Sequence, residues 1–158
     1  MTWPDGIIGR RTVMKRVLMK LEGVVEAPVD QVAGLLLDVR PGGRSPLALG
    51  DGAEEIACDE SRLTIRGRHH GDILTLVADR SHHLLTIRSG WWYHAEITMS
   101  RHEADTLVTL CLYNAASRPL RWLARLAARK LLATRDEQFM AQMAELGRRL
   151  GCSGYSIR

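Results

Sequence analysis

The sequence has no apolar run near the ~18 residues that a membrane-spanning helix requires. Its opening, Met1-Thr2-Trp3-Pro4-Asp5-Gly6, lacks a basic stretch followed by an apolar one, so no secretory signal is read there. Cysteine is scarce: Cys58, Cys111 and Cys152 are odd in number and lack metal-ligand spacing. That usage fits reduced thiols, and a cytoplasmic location is expected. Neither Gly-x-x-x-x-Gly-Lys-Ser/Thr nor Gly-x-Gly-x-x-Gly occurs, so no phosphate loop is expected. A Gly-x-Ser-x-Gly nucleophile elbow is missing too, and no Ser/Cys–His–Asp triad assembles from sequence order. Aromatic residues make up only 5% of the chain, and lysine numbers 3 against 19 arginines, a bias that codon usage explains. These absences exclude much and name no activity.

What is present is ordinary globular material. Of 158 residues, 46% are hydrophobic and 25% charged, a length and composition suited to a single domain over 1–158. The net charge of +4 is unevenly placed. Residues 117–150 hold eight basic and three acidic side chains, leaving 14 basic against 15 acidic elsewhere. The basic character belongs to one segment.

Residues 13–25 alternate. Val13, Val17, Met19, Leu21, Gly23 and Val25 share one face, while Arg16, Lys20, Glu22 and Glu26 share the other. Period two over this length predicts a long strand buried on one side. Ala27-Pro28-Val29-Asp30 then opens a short helix carried by Val32, Leu35, Leu36 and Val39, which Pro41-Gly42-Gly43 ends. A loop follows to Gly52, with Asp51-Gly52 read as a turn. Six short alternating segments come next, near 54–59, 62–68, 73–79, 83–88, 91–100 and 106–114, each separated by turn residues. Such spacing without intervening helices predicts an antiparallel meander. From Ser117 the period becomes 3.6 and holds to Gly151, a natural terminator.

Two stripes run along this last helix: Leu120, Leu123, Ala124, Ala127 and Leu131, then Leu132, Phe139, Met143, Leu146 and Leu150. They are offset by about 110° on helical geometry. Thr134-Arg135-Asp136-Glu137 matches a capping box. A kink or break near Thr134 is therefore expected.

The order of elements resembles the START/Bet v 1-like superfamily, also called SRPBCC. The resemblance is carried by Val25-Glu26-Ala27-Pro28-Val29-Asp30-Gln31-Val32, by Leu35-Leu36-Leu37-Asp38, and by the closing helix from Pro119-Leu120-Arg121-Trp122-Leu123 to Leu150. It spans roughly residues 12–150. The resemblance implies an α+β helix-grip fold: a seven-stranded curved antiparallel sheet wrapped round a long C-terminal helix, with a ligand cavity between them. Members bind lipids, sterols, quinones, polyketides or plant hormones, and some are cyclases or hydrolases. No catalytic signature transfers residue by residue.

The expected function is binding or transport of a small hydrophobic ligand, without cofactor or metal. The alternative is a polyketide cyclase or dehydratase type of enzyme, with Tyr93, His94 or Tyr113 handling protons. Val17, Met19, Leu21, Trp91, Tyr93, Ile97, Tyr113, Phe139 and Met143 are expected to line the cavity. The Tyr93 hydroxyl needs a partner, which either a ligand oxygen or a core hydrogen bond could supply. His94 and Glu96 share a strand face and read as a solvated pair, and Cys111 reads as a small buried hydrophobe. The pairs His69-His70 and His82-His83 flank turns and can each offer only one ligand to a site, so no metal is expected there. Arg118, Arg121, Arg125 and Arg129 recur on one helical face beside Trp122 and Leu126, a pattern suited to an anionic membrane surface. Nucleic acid is not an expected partner, because aromatic and basic residues lie on different elements.

Overall fold

A computed structural model describes residues 16–50 and 52–157. The segment 1–6, the strand start at 13–15 and the Asp51 half of the Asp51-Gly52 turn lie outside the described residues. Strand β1 (Arg16–Val25) runs into helix α1 (Val29–Leu36). The meander follows as β2 (Glu54–Cys58), β3 (Arg62–His69), β4 (Asp72–Asp79), β5 (Leu84–Ser89), β6 (Tyr93–His102) and β7 (Asp105–Asn114). A 3-10 turn over Arg118–Leu120 leads into helix α2 (Arg121–Leu150), and a final strand β8 (Gly154–Ile157) closes the chain. The sheet order is β2-β3-β4-β5-β6-β7-β1-β8, and each strand pair is antiparallel.

This is the expected α+β helix-grip arrangement, with eight strands among the described residues where seven were expected. Strand β8 escaped sequence reading because four residues after a helix terminator are too short to display a period. It pairs Glu22 through Val25 of β1 with Ile157 through Gly154.

Side-chain alternation builds the core. In β7, Thr106, Val108, Leu110, Leu112 and Asn114 are buried, while the residues between them are half-exposed. Register carries that inner face across the sheet in rungs. One rung joins Ile65, Leu76, Ile87, Ala95, Leu112 and Met19; the next joins Leu63, Ala78, Leu85, Ile97, Leu110 and Leu21. Helix α1 adds Val32, Ala33, Leu35 and Leu36, and α2 adds Phe139, Met143 and Leu146.

Helix α2 corrects the expectation of a break. It runs uninterrupted through Thr134, which is exposed inside it, and ends where Gly151 adopts φ 69°. The helix buries one stripe from end to end: Ala124 and Ala128, half-buried Leu131, Leu132 and Arg135, then Phe139, Met143 and Leu146. At about 100° per residue these positions stay in phase. Leu120, Leu123 and Ala127, expected inside, stay exposed instead. Leucine pointed to the wrong face, since the face that packs in this half is made of alanine and arginine.

A candidate ligand site at the open end of the grip

The two deep rungs are closely packed at the middle of the sheet. Phe139 is 2% exposed, Ile97 5%, Leu110 2% and Leu112 0%. The last rung, in which Gly67, Leu74, Ser89, Tyr93 and Asn114 cross the sheet beside Arg16, is covered less completely. Leu74, Ser89 and Tyr93 are half-buried there. Leu131 and Leu132 of α2 and Met19 of β1 pack against the core in the same half-buried state.

Two polar groups meet among these apolar ones. Arg135 donates from Nη2 to the Tyr93 hydroxyl at 2.5 Å, and its guanidinium carbon lies 5.9 Å from the Tyr93 ring centroid. Nη1 donates to Gln138 Oε1 at 3.3 Å. The Arg135 Nε is buried without a hydrogen-bond partner. No carboxylate of the described residues forms an ion pair with Arg135. Asp136 and Glu137, its helix neighbours, are exposed. Burial raises the Tyr93 pKa, with the Arg135 charge opposing, so the phenol is neutral at physiological pH and can donate. The pair offers a cation and a hydroxyl to an oxygen acceptor on an otherwise apolar molecule.

The rest of the expected lining divides. Met19, Leu21, Tyr93, Ile97, Phe139 and Met143 do lie together on the inner side of the sheet. Val17 does not: a register shift between Val17 and Met19 pairs Val17 with Tyr113 on the opposite face, and it is 52% exposed. Trp91 sits in the turn before β6, 50% exposed. Tyr113 belongs to the outer face, where it pairs with His94. Arg135 was missed because its sequence context reads as a capping box. Its phase with Ala128 and Phe139 was the signal available.

The outer face holds a second group of titratable side chains. His94 Nε2 lies 2.9 Å from Glu96 Oε1, and the His94 and Tyr113 rings meet edge to face at 5.7 Å between centroids. His94 is only 3% exposed, so the pair is buried on its histidine side and not the solvated face expected. Burial, then Cys111 and Glu96, push the Tyr113 pKa up to about 12. Cys111 is half-buried on this same face, not a core residue. The sheet separates this cluster from the Tyr93–Arg135 pair.

Two open grooves indent the surface elsewhere. One of about 330 Å³ follows β1 past the end of β8, between Lys20, Leu21 and the Asp136–Met140 side of α2. A larger one of about 630 Å³ lies between α1 and the end of α2, beside Arg44 and Arg149. Neither is lined by Tyr93 or Arg135. No helix of the described residues is long and apolar enough to cross a membrane.

No protein-family model matches the chain, and no curated protein matches it. Among solved structures, TTHA0849 from Thermus thermophilus aligns with a TM-score of 0.47 at 18% identity, over 83% of this chain and 94% of that one. The di-domain ARO/CYC StfQ from the steffimycin biosynthetic pathway aligns with a TM-score of 0.39 at 17% identity, over 73% of this chain and 42% of that one. The chain thus spans less than half the length of StfQ.

Proposed function

We propose that this protein binds a small hydrophobic ligand carrying an oxygen acceptor, with the acceptor on Arg135 and Tyr93 and the apolar body against Met19, Leu74, Leu131 and Leu132. The observation that carries the reading is the uncompensated guanidinium. A half-buried cation without a carboxylate, with one N–H lacking any partner, costs stability in the free protein. A bound acidic or carbonyl oxygen on the guanidinium supplies the missing counter-charge and offsets that cost. Apolar walls with one or two orienting polar groups are what such a site needs.

Entry follows from how lightly the first half of α2 is held. Its buried side chains before residue 130 are Ala124 and Ala128, which bury little area. Lifting this half exposes the Tyr93–Arg135 pair while Phe139, Met143 and Leu146 keep the second half seated. An enzyme of cyclase or dehydratase type retains Tyr93 alone of its three proton-handling groups on the inner face, because His94 and Tyr113 lie outside.

The test is native mass spectrometry of protein purified from its source, with titration of the stripped protein by 8-anilinonaphthalene-1-sulfonate, an apolar body bearing an anionic oxygen group. A retained small molecule, and saturable one-to-one probe binding that Arg135→Gln weakens, are expected. No retained mass together with probe binding indifferent to Arg135 overturns the reading.

A further inference from the structure

The face of α2 turned away from the sheet is apolar where a solvent-facing helix should be polar. Trp122 is 61% exposed, Leu126 54% and Leu123 37%, all on the side opposite Ala124, Ala128 and Arg135. At about 100° per residue Leu126 is near the centre of this face, with Arg125 and Arg129 on one flank and Lys130 on the other. A second exposed aromatic, Trp91, lies in the turn before β6. The Ala115 N–H donates to the Trp92 carbonyl at 2.8 Å, which ties this turn to the residues just after β7.

Charge identifies what this face meets. Between Asp105 and Asp136 the chain has no carboxylate, while residues 118–130 carry five cations. Helix stability by itself would favour acids in the first turns of α2, where positive charge opposes the dipole. There are none. A second copy of the same face would set cations against cations, so self-association is disfavoured by its own charge. Phosphates of a nucleic acid would satisfy the arginines but leave Leu123 and Leu126 in water. A bilayer with acidic headgroups satisfies both: apolar side chains sink to the acyl boundary, Trp122 sits at headgroup level, and arginines reach the phosphates.

We infer that the exposed face of the first half of α2 docks on an anionic phospholipid bilayer. The surface is separate from the Tyr93–Arg135 site, which faces the sheet, and stands or falls without it.

The test is flotation of the full chain with phosphatidylcholine vesicles, with and without phosphatidylserine, at low and high salt. Binding is expected only to vesicles containing phosphatidylserine, and is expected to weaken as salt rises. Arg125→Glu with Arg129→Glu should lower binding roughly tenfold or more, and the Arg→Lys pair should preserve it. Trp122→Ala with Leu126→Ser should lower binding at both salt concentrations. These positions are exposed, and circular dichroism of each variant checks the helix; Arg→Gln replaces Arg→Glu if the reversal unfolds it. Arg135→Gln should leave flotation unchanged, which separates this result from the ligand test. Equal retention on neutral and anionic vesicles overturns the inference. So does indifference to charge reversal, or capture by RNA that competes vesicles away without needing Trp122 and Leu126.

Discussion

Tyr93 and Arg135 lie 42 residues apart in the chain and meet at 2.5 Å across the open end of the grip. The contact joins the first residue of β6 to the middle of α2, and it places a cation where apolar packing alone would put a leucine. Groups kept at a cost to the free protein are those a ligand repays.

A gain and a loss are therefore expected from one change. Arg135→Met keeps volume and flexibility but removes the buried unpaired N–H and the charge. It should raise stability by about 1–2 kcal/mol, or roughly 2–8 °C in Tm for a chain this long. The same variant should lose binding of the anionic probe. Calorimetry and the probe titration check the two halves, and a fall in Tm would contradict the cost assigned to Arg135.

A second prediction concerns how closely α2 approaches β1. A methyl group on Gly23 would stand 2.7 Å from Met143 Cγ and 3.0 Å from the Tyr155 carbonyl oxygen. Gly23→Ala should therefore cost about 1–3 kcal/mol through overpacking. Most of the crowding comes from a flexible side chain, so Met143→Ala should cost less in the Gly23→Ala background than in the wild type. Urea denaturation of the four-protein cycle measures that coupling.

Legibility in the sequence followed the strength of each periodic signal. The meander was readable because apolar residues alternate with polar ones in β3 and β6 and turn residues separate the segments. The side chains of β1 were readable only from Met19 onward. A bulge adds one residue and flips whatever precedes it, so Val17 changed face without any change in its own chemistry. The first half of α2 misled for a different reason: burial there is set by how close the backbone comes, which favours Ala124 and Ala128 over the leucines beside them. Arg135 lay hidden because nothing in its neighbours distinguishes an inward arginine from a solvated one. The burial of His94 likewise depends on strands β6 and β7 meeting, which no local pattern encodes.

A third prediction follows from Asp79, at the end of β4. Its carboxylate accepts from the Ser81 hydroxyl at 2.7 Å, lies 2.9 Å from His82 Nδ1, and accepts from Arg62 Nε at 3.2 Å. Those donors, Ser81 foremost, hold its pKa well below the usual carboxylate range. A depressed folded pKa gives stability that is complete above the unfolded value of about 4 and is lost as pH falls through the folded one. Thermal melts between neutral and acid pH should show a decline that begins below about pH 4. Asp79→Asn should lower Tm at neutral pH, by about 1–3 kcal/mol of stability, and flatten that decline.

The last prediction tests whether the start of α2 is the movable part. Asn114 ends β7, is 4% exposed, and works as a clamp in two directions. Its Nδ2 donates to the Arg121 carbonyl at 3.2 Å, and its Oδ1 accepts from the Ala116 N–H at 3.0 Å. No side-chain cap serves the helix itself: neither Ser117 nor Leu120 makes one. Beside the small faces of Ala124 and Ala128 and the half-buried Arg121, Asn114 thus ties this helical half to the sheet. Asn114→Ala leaves one buried N–H without its acceptor and frees the first turn, at a cost of about 1–3 kcal/mol. Amide exchange should accelerate across residues 118–128 and remain slow around Phe139, Met143 and Leu146, where large side chains fill the core. Uniform acceleration along the whole helix would mean that α2 opens as one unit, and the lifting proposed for ligand entry would then involve the entire helix.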